Sequence, residues 1–402
     1  MSHCCRHCGS PLSQEVIDLG HQPPSNAYLK PEQLALPEIT YPLKVFVCTS
    51  CWLVQLPAHA AADELFTADY AYFSSTSSSW CAHAERFVEA AVQRLGLGLE
   101  SQVVELASND GYLLQYVRQR GIPCLGIEPT HATAESARAK GIDTLERFFG
   151  VALAEELEPA DLVVANNVLA HVPDINDFVA GIARLLKPTG RASIECPHLL
   201  RLLAGNQFDT IYHEHYSYLS LRVVQRIAAM AGLVLVDVEE LPTHGGSLRL
   251  WLAHQGSADP TPAVLAVLAA EAAAGLETLE AYAGFQQRAE AAKHKLLQFL
   301  LQAKAEGKLV LGYGAAAKGN TLLNYAGIRA DLLPAVADRA PSKQGMLLPG
   351  SHIPVISPEQ MAAESPEAVL VLPWNLIEEL RVQLLGMELV TAIPELQRWT
   401  DD

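Results

Sequence analysis

The sequence predicts a three-part α/β protein: a small N-terminal zinc-binding module, a central doubly wound Rossmann-like sheet, and a smaller Rossmann-like C-terminal α/β domain. Three observations carry this reading. Two Cys-x-x-Cys pairs, Cys5/Cys8 and Cys48/Cys51, lie within a first sixty residues rich in Cys, His and Pro and without a long periodic run. From Gln102 short apolar runs alternate with helical stretches, the pattern of a parallel sheet covered by helices. From Lys308 a second strand, glycine-bearing turn and helix follow. The parts are bounded at 1–70, 71–245 and 246–402.

The two thiol pairs supply four soft ligands with knuckle spacing, the donor set of tetrahedral zinc. Only Cys5, not Cys4, gives the two-residue gap to Cys8. With all four positions filled by thiolate no site is left open, so the zinc is structural. It folds a segment too small to fold alone. The aromatic and hydroxyl-rich stretch Tyr70–Ser79 that follows reads as a lid over a site, with a solvated linker as the alternative.

In the central part Val103–Leu106 is a strand, Tyr112–Gln119 a helix, and Cys124–Glu128, Asp161–Ala165 and Arg191–Glu195 further strands. Ligands in such a sheet sit at the carboxyl ends of the strands. The first turn, Glu105-Leu106-Ala107-Ser108-Asn109-Asp110-Gly111, presents backbone amides there. Glu128, closing the second strand, is placed to hold two ribose hydroxyls. NAD would use the same two signals, but the three-glycine spacing of a dinucleotide fingerprint is missing. A single nucleoside without pyrophosphate fits better, and S-adenosylmethionine is one. Asn166 and Asn167 follow the third of these strands at the same edge; capping the next segment is the alternative to a ligand role for Asn167.

The segment Ile211-Tyr212-His213-Glu214-His215-Tyr216-Ser217-Tyr218 gathers two imidazoles, a carboxylate and three phenols. One reading is a metal site, with His213 and His215 on one face of an extended chain. The other is an acid/base cluster, since histidine exchanges a proton near neutral pH. A hydrogen-bonded structural cluster is the third.

Ala263–Gln302 reads as helical, broken near Gly275 and Gly284. The turn Gly312-Tyr313-Gly314-Ala315-Ala316-Ala317-Lys318-Gly319-Asn320-Thr321 follows the strand Lys308–Leu311, and strands at Leu333–Ala337 and Ala368–Leu372 complete the layer. Amides at a helix start together with Lys318 suit a diphosphate. NAD and an unliganded turn are its rivals.

Half the residues are apolar and 18% are charged, a globular composition. A formal net charge of -17 disfavours a nucleic acid partner. No basic and apolar leader opens the chain and no run of about eighteen apolar residues crosses a bilayer. The expectation is a cytoplasmic protein, monomeric or weakly oligomeric, with reduced cysteines.

Together, the paired Cys-x-x-Cys module, Glu-x-Ala-Ser-Asn-Asp-Gly, Tyr-His-Glu-His-Tyr-Ser-Tyr and Gly-Tyr-Gly-Ala-Ala-Ala-Lys-Gly-Asn resemble the sugar C-methyltransferases that act on dTDP-linked 4-keto-deoxysugars. The resemblance covers nearly the whole length. It implies a class I methyltransferase domain in the centre and a nucleotide-sugar-binding domain at the C-terminus. It makes His215 the base, with Glu214, Tyr212 and, by a looser match, Tyr72 as catalytic partners. Glu105, Ala107, Ser108, Asn109, Asp110, Gly111, Glu128, Asn166 and Asn167 would hold the cofactor. Tyr313, Lys318, Asn320, His171 and His198 would hold the substrate. The turn departs from the usual glycine-rich form at Ala107 and Asn109.

Overall fold

A computed structural model describes residues 3–60, 62–65 and 73–400. Tyr72 lies outside the described residues. The central sheet has seven strands in the spatial order Leu233–Leu241, Ser247–His254, Leu186–Pro197, Ala160–Asn166, Val103–Leu106, Cys124–Ile127, Thr144–Leu145. The five strands from Leu186–Pro197 outward to Thr144–Leu145 run parallel, and Ser247–His254 is antiparallel to both its neighbours. The chain starts this sheet in the middle, at Val103–Leu106, builds to one side, then returns to build the other. The direction reverses between Val103–Leu106 and Ala160–Asn166, and a crevice opens at such a point. This is the Rossmann-like architecture expected. Ser247–His254, a strand of this sheet, lies wholly beyond residue 245.

The strand Val103–Leu106 is buried at every position, so its apolar run is continuous rather than alternating. One face packs on Phe87, Leu113 and Trp251, the other on Phe178, Ile182 and Ile227. The helix Ser78–Leu95 starts where the Ser77 hydroxyl accepts from the Trp80 amide (3.2 Å) and stops at Gly96, whose φ of 63° only glycine adopts at little cost. That cap fixes Trp80 and His83 in the first turns of the helix.

Four short antiparallel strands form the N-terminal sheet, in the order Ser217–Tyr218, Val54–Gln55, Tyr41–Val47, Gln14–Gln22. The outermost strand comes from the His- and Tyr-rich segment some 160 residues downstream. The N-terminal module therefore holds that segment directly.

The third sheet runs Val355–Ile356, Val336–Ala337, Val310–Tyr313, Ala368–Val371, Glu388–Thr391, Gln397–Trp399, and all but the last are parallel. The helical stretch expected at 263–302 is two helices, Pro262–Ala273 and Phe285–Ala305, separated at Gly275 and Gly284. Phe285, Ala289, Ala292, Leu296 and Phe299 recur at three- and four-residue intervals and bury one stripe of the second helix. That stripe enters a core shared with Ile17 and Leu43 of the N-terminal sheet and Leu322 and Leu323 of the C-terminal domain. At its start Gln286 accepts from the Asp18 amide (2.9 Å) and donates to the Tyr325 hydroxyl (3.0 Å). The three parts thus share one interior around the segment 211–218. No helix among the described residues is long and apolar enough to cross a membrane.

Candidate active site

The first turn of the central sheet is left-handed at alternate residues: φ is 53° at Ala107, 51° at Asn109 and 75° at Gly111. The glycine-like conformation is kept where two of the glycines are absent. Asn tolerates it readily, and Ala107 bears a cost of about 1–2 kcal/mol. Gly126 on the neighbouring strand makes room, since a Cβ there would stand 2.5 Å from the Ser108 hydroxyl.

Around the crevice several polar side-chain atoms are buried and have no hydrogen-bond partner among the described residues: Glu105 Oε2, Ser108 Oγ, Asn166 Oδ1, and both polar atoms of Asn167. Four orphaned side chains at the ends of two adjacent strands call for a polar ligand. Burial, with Glu128 and Asp110 nearby, pushes the Glu105 carboxyl well above its usual range. Glu128 accepts from the Asn109 amide (2.9 Å) with one oxygen, and from the amide and hydroxyl of Thr130 (2.9 and 2.5 Å) with the other. The oxygen that accepts from Asn109 keeps a second lone pair for a ribose hydroxyl. The residues fit an adenosine ribose and an amino acid tail. The Asp110 carboxylate is committed elsewhere, to the Ser75 hydroxyl and to Lys140 Nζ at 3.0 Å. Ser74 N donates to Asn109 Oδ1 (2.9 Å), so the start of the helix after residue 73 is tied onto this turn.

His215 is buried and forms the centre of a cluster of rings. Its Nδ1 donates to the Thr210 carbonyl (2.7 Å), which leaves Nε2 with a lone pair. The Tyr212 ring lies 3.9 Å from it between centroids, the His171 ring 4.7 Å and the Tyr218 ring 6.3 Å. Burial, then the neighbouring His171, drives its pKa well below 6.5. His171, in a short turn after the strand Ala160–Asn166, is pushed down to about 4 by burial. Glu214 is buried and pushed up for the same reason; its Oε1 accepts from Asn26 Nδ2 (3.1 Å) and its Oε2 has no hydrogen-bond partner among the described residues. His213 turns away toward Tyr41, 5.8 Å between centroids. The two imidazoles therefore do not share a face, and among the described residues only the four cysteines gather as metal ligands.

Lys318 enters this centre from the C-terminal domain. Its Nζ donates to Asn375 Oδ1 (2.6 Å) and lies 5.0 Å from the centre of the Trp374 ring. Burial lowers its pKa. Its charge is felt at His215. Asp209, fully buried and pushed up to about 6 by burial, accepts from Trp374 Nε1 (2.7 Å) behind it. The other expected substrate residues are dispersed. Asn320 is buried and donates to the Ser25 carbonyl (2.6 Å), while neighbouring Thr321 donates to the Ile211 carbonyl (2.8 Å). His198 pairs with buried Glu271 (2.8 Å), which also accepts from the Leu221 and Arg222 amides. Tyr313 packs with Leu311, Ala337 and Val371 in the core of the C-terminal sheet.

Cys5, Cys8, Cys48 and Cys51 converge until their sulfurs lie within 4.8 Å of one another, and Cys4 is exposed outside the cluster. Gln55 Nε2 donates to Cys5 Sγ (3.1 Å), an outer hydrogen bond of the kind that orients a thiolate ligand. The donor set fits zinc.

Sequence reasoning missed a second polar group beside the centre: Trp80, His83, Glu195 and His244. Glu195 ends a strand at the ligand-binding edge, and His244-Gly245-Gly246 is a polar turn between two strands. Those two positions were the available signal.

A family model for a zinc binding domain matches residues 5–66, one for a methyltransferase domain 80–238, and one for a C-methyltransferase C-terminal domain 242–394. The C-methyltransferase NovU of Streptomyces niveus is 36% identical over 381 residues, 94% of this chain and 90% of that protein. Among solved structures, the PH0226 protein of Pyrococcus horikoshii OT3 is 14% identical, covering 46% of this chain and 95% of its own, at a TM-score of 0.38. The magnesium protoporphyrin IX methyltransferase of Synechocystis PCC 6803 is 15% identical, covering 42% and 79%, at 0.33. The chain belongs to the C-methyltransferase family: it is an S-adenosylmethionine-dependent enzyme with a zinc-binding domain at its N-terminus.

Proposed function

We propose that this C-methyltransferase methylates the carbon next to the ketone, C3, of a dTDP-linked 4-keto-deoxysugar, with His215 as the base. The observation that carries the reading is the imidazole of His215, pinned through Nδ1 so that Nε2 faces a buried centre as a neutral acceptor. Oxygen or nitrogen nucleophiles carry a lone pair of their own. A carbon nucleophile must first be made by removing a proton, and a ketone acidifies the proton beside it. Nε2 would take that proton, and Tyr212, against the His215 ring, would donate to the oxygen on which charge develops. Bound S-adenosylmethionine supplies an electrophilic methyl group. The strand ends carrying Glu105 and Asn166 would orient the cofactor, and the closed interior would exclude water.

Lys318 would hold a phosphate of the nucleotide, since its half-buried ammonium has Asn375 at hydrogen-bond distance and no carboxylate within ion-pair distance among the described residues. Incubation with S-adenosylmethionine and a dTDP-4-keto-deoxysugar should give a product one methyl heavier, with a C-methyl resonance on C3 by NMR. An O-methyl product, or none, overturns the reading.

Glu128→Ala should weaken S-adenosylhomocysteine binding by about 10- to 100-fold. The change removes the acceptor of the turn amide and of a ribose hydroxyl, and hydrogen bonds to charged groups are each worth about 1.5–3 kcal/mol. Calorimetric titration of the variant measures it; unchanged affinity would remove Glu128 from the cofactor site.

A further inference from the structure

The loop between the strands Leu233–Leu241 and Ser247–His254 puts an imidazole in an unusual place. His244 has φ 55°, a left-handed conformation that non-glycine residues adopt at a cost of about 1–2 kcal/mol. The loop cannot relax out of it. A Cβ on Gly245 would stand 2.5 Å from the Trp374 ring, and one on Gly246 2.6 Å from the Arg201 stem. Gln207 Nε2 donates to the Gly245 carbonyl (2.8 Å). Thr243 donates to Glu195 Oε1 (3.2 Å), and Glu195 is buried at the ligand-binding end of its strand. The other oxygen of Glu195 meets Arg249 (3.1 Å) and His83 Nε2 (3.0 Å). The Trp80 ring lies between two imidazoles, stacked on His83 at 4.8 Å and tilted against His244 at 5.2 Å.

This framework has no evident work unless it aims the ring. Trp374, against which the loop is pressed, also carries Lys318 on its face, so His244 and Lys318 share one wall. Burial, followed by the Lys318 charge, lowers His244 to about 4, so the ring is neutral at pH 7 and has one N–H to give. A neutral imidazole donates to a carbonyl oxygen without surrendering its proton, and so suits an enolate.

We propose that His244 is a hydrogen-bond donor to the ketone oxygen of the substrate, and that Trp80, Glu195 and Thr243 are the residues that position it. The assignment rests on the keto-sugar reading above. The proton leaves the sugar carbon for His215 Nε2. The C–H electron pair becomes the carbon–carbon π bond, and the carbonyl π pair moves onto oxygen. His244 N–H bonds that oxygen. The oxygen pair would then re-form the carbonyl as the carbon–carbon π pair bonds the methyl group, whose bond to sulfur would break with its electron pair left on S-adenosylhomocysteine.

The test uses the full chain with S-adenosylmethionine and a dTDP-4-keto-deoxysugar. His244→Asn keeps the backbone, because Asn tolerates left-handed φ, and removes the ring N–H. It should lower kcat by about 10²- to 10³-fold, the usual loss of one oxyanion donor. Its affinity for S-adenosylhomocysteine should stay within about twofold of wild type, because no hydrogen bond joins the His244 side chain to the Ala107–Gly111 turn among the described residues. His244→Gln carries an amide nitrogen near the position of the ring Nε2 and should recover at least about tenfold of that loss. Near-wild-type kcat in His244→Asn, or equal damage in both variants with falling cofactor affinity, overturns the assignment while leaving His215 as base. A wild-type enzyme inert toward every keto-sugar overturns the substrate reading and this one with it.

Discussion

Replacing His215 with Asn should lower methyl transfer by about 10²- to 10⁴-fold, the range for loss of a general base. Asn fills most of the ring's space and can keep the bond to the Thr210 carbonyl, but it offers no basic nitrogen at the position of Nε2. Binding of S-adenosylhomocysteine should therefore persist, because the orphaned side chains that define the cofactor crevice belong to other strands. The pH profile gives an independent check. Burial, then the neighbouring His171, depresses the His215 pKa, so the neutral, proton-accepting form survives to lower pH than in a free histidine. The acid limb of kcat/KM should accordingly lie well below pH 6.5, with no loss between pH 8 and 6.5, the ordinary range for histidine titration. An acid limb at 6.5 or above would mean that another group takes the proton. Residual activity of His215→Asn above about a tenth of wild type would remove this imidazole from the chemistry.

The pieces of this site differ in how they could be read from the chain. The zinc ligands and the Ala107–Gly111 turn were legible because their chemistry is local: thiols two residues apart, and a short polar turn between a buried strand and a helix. Segment 211–218 was legible by composition alone, since few cores hold two imidazoles and three phenols within eight residues. Its geometry was not. Alternation put His213 and His215 on one face, whereas the chain turns at His213 and Glu214 and sends the rings to Tyr41 and His171. What bends it is pairing with Val54–Gln55, a contact no local pattern encodes. Tyr212, His171, His215 and Lys318 are gathered by the fold, while Asn320 and His198 are drawn into buried bonds with Ser25 and Glu271. His244 and Trp80 escaped notice because a single imidazole and a single indole carry no spacing signal. Their meeting depends on the return of Ser247–His254 into the sheet.

That same long-range pairing sets the outcome of removing the zinc. The metal closes a module whose outer strand is Ser217–Tyr218, two residues past His215. From the module Leu56 N donates to the Tyr216 carbonyl (3.0 Å), Arg6 lies over the Tyr216 ring at 5.2 Å, and Asn26 holds Glu214. Structural zinc sites contribute about 10–16 kcal/mol of apparent folding energy in isolated fingers, more than a module of this size can replace by packing. Replacing Cys48 and Cys51 together with Ser should abolish zinc retention and unfold the module. The segment 211–218 would then lose its pairing partner, and a displacement of about 1 Å at the base is enough to cost about 10²-fold. Methyl transfer should fall by at least that factor. Affinity for S-adenosylhomocysteine should remain within about an order of magnitude, because the crevice is built on the central sheet, whose strands pair without the module. Metal analysis, titration calorimetry and turnover on one preparation separate these outcomes. A zinc-free double variant that still methylates at the wild-type rate would show that Ser217–Tyr218 is held by something other than the metal-closed sheet, and the structural role of the zinc in placing His215 would fall.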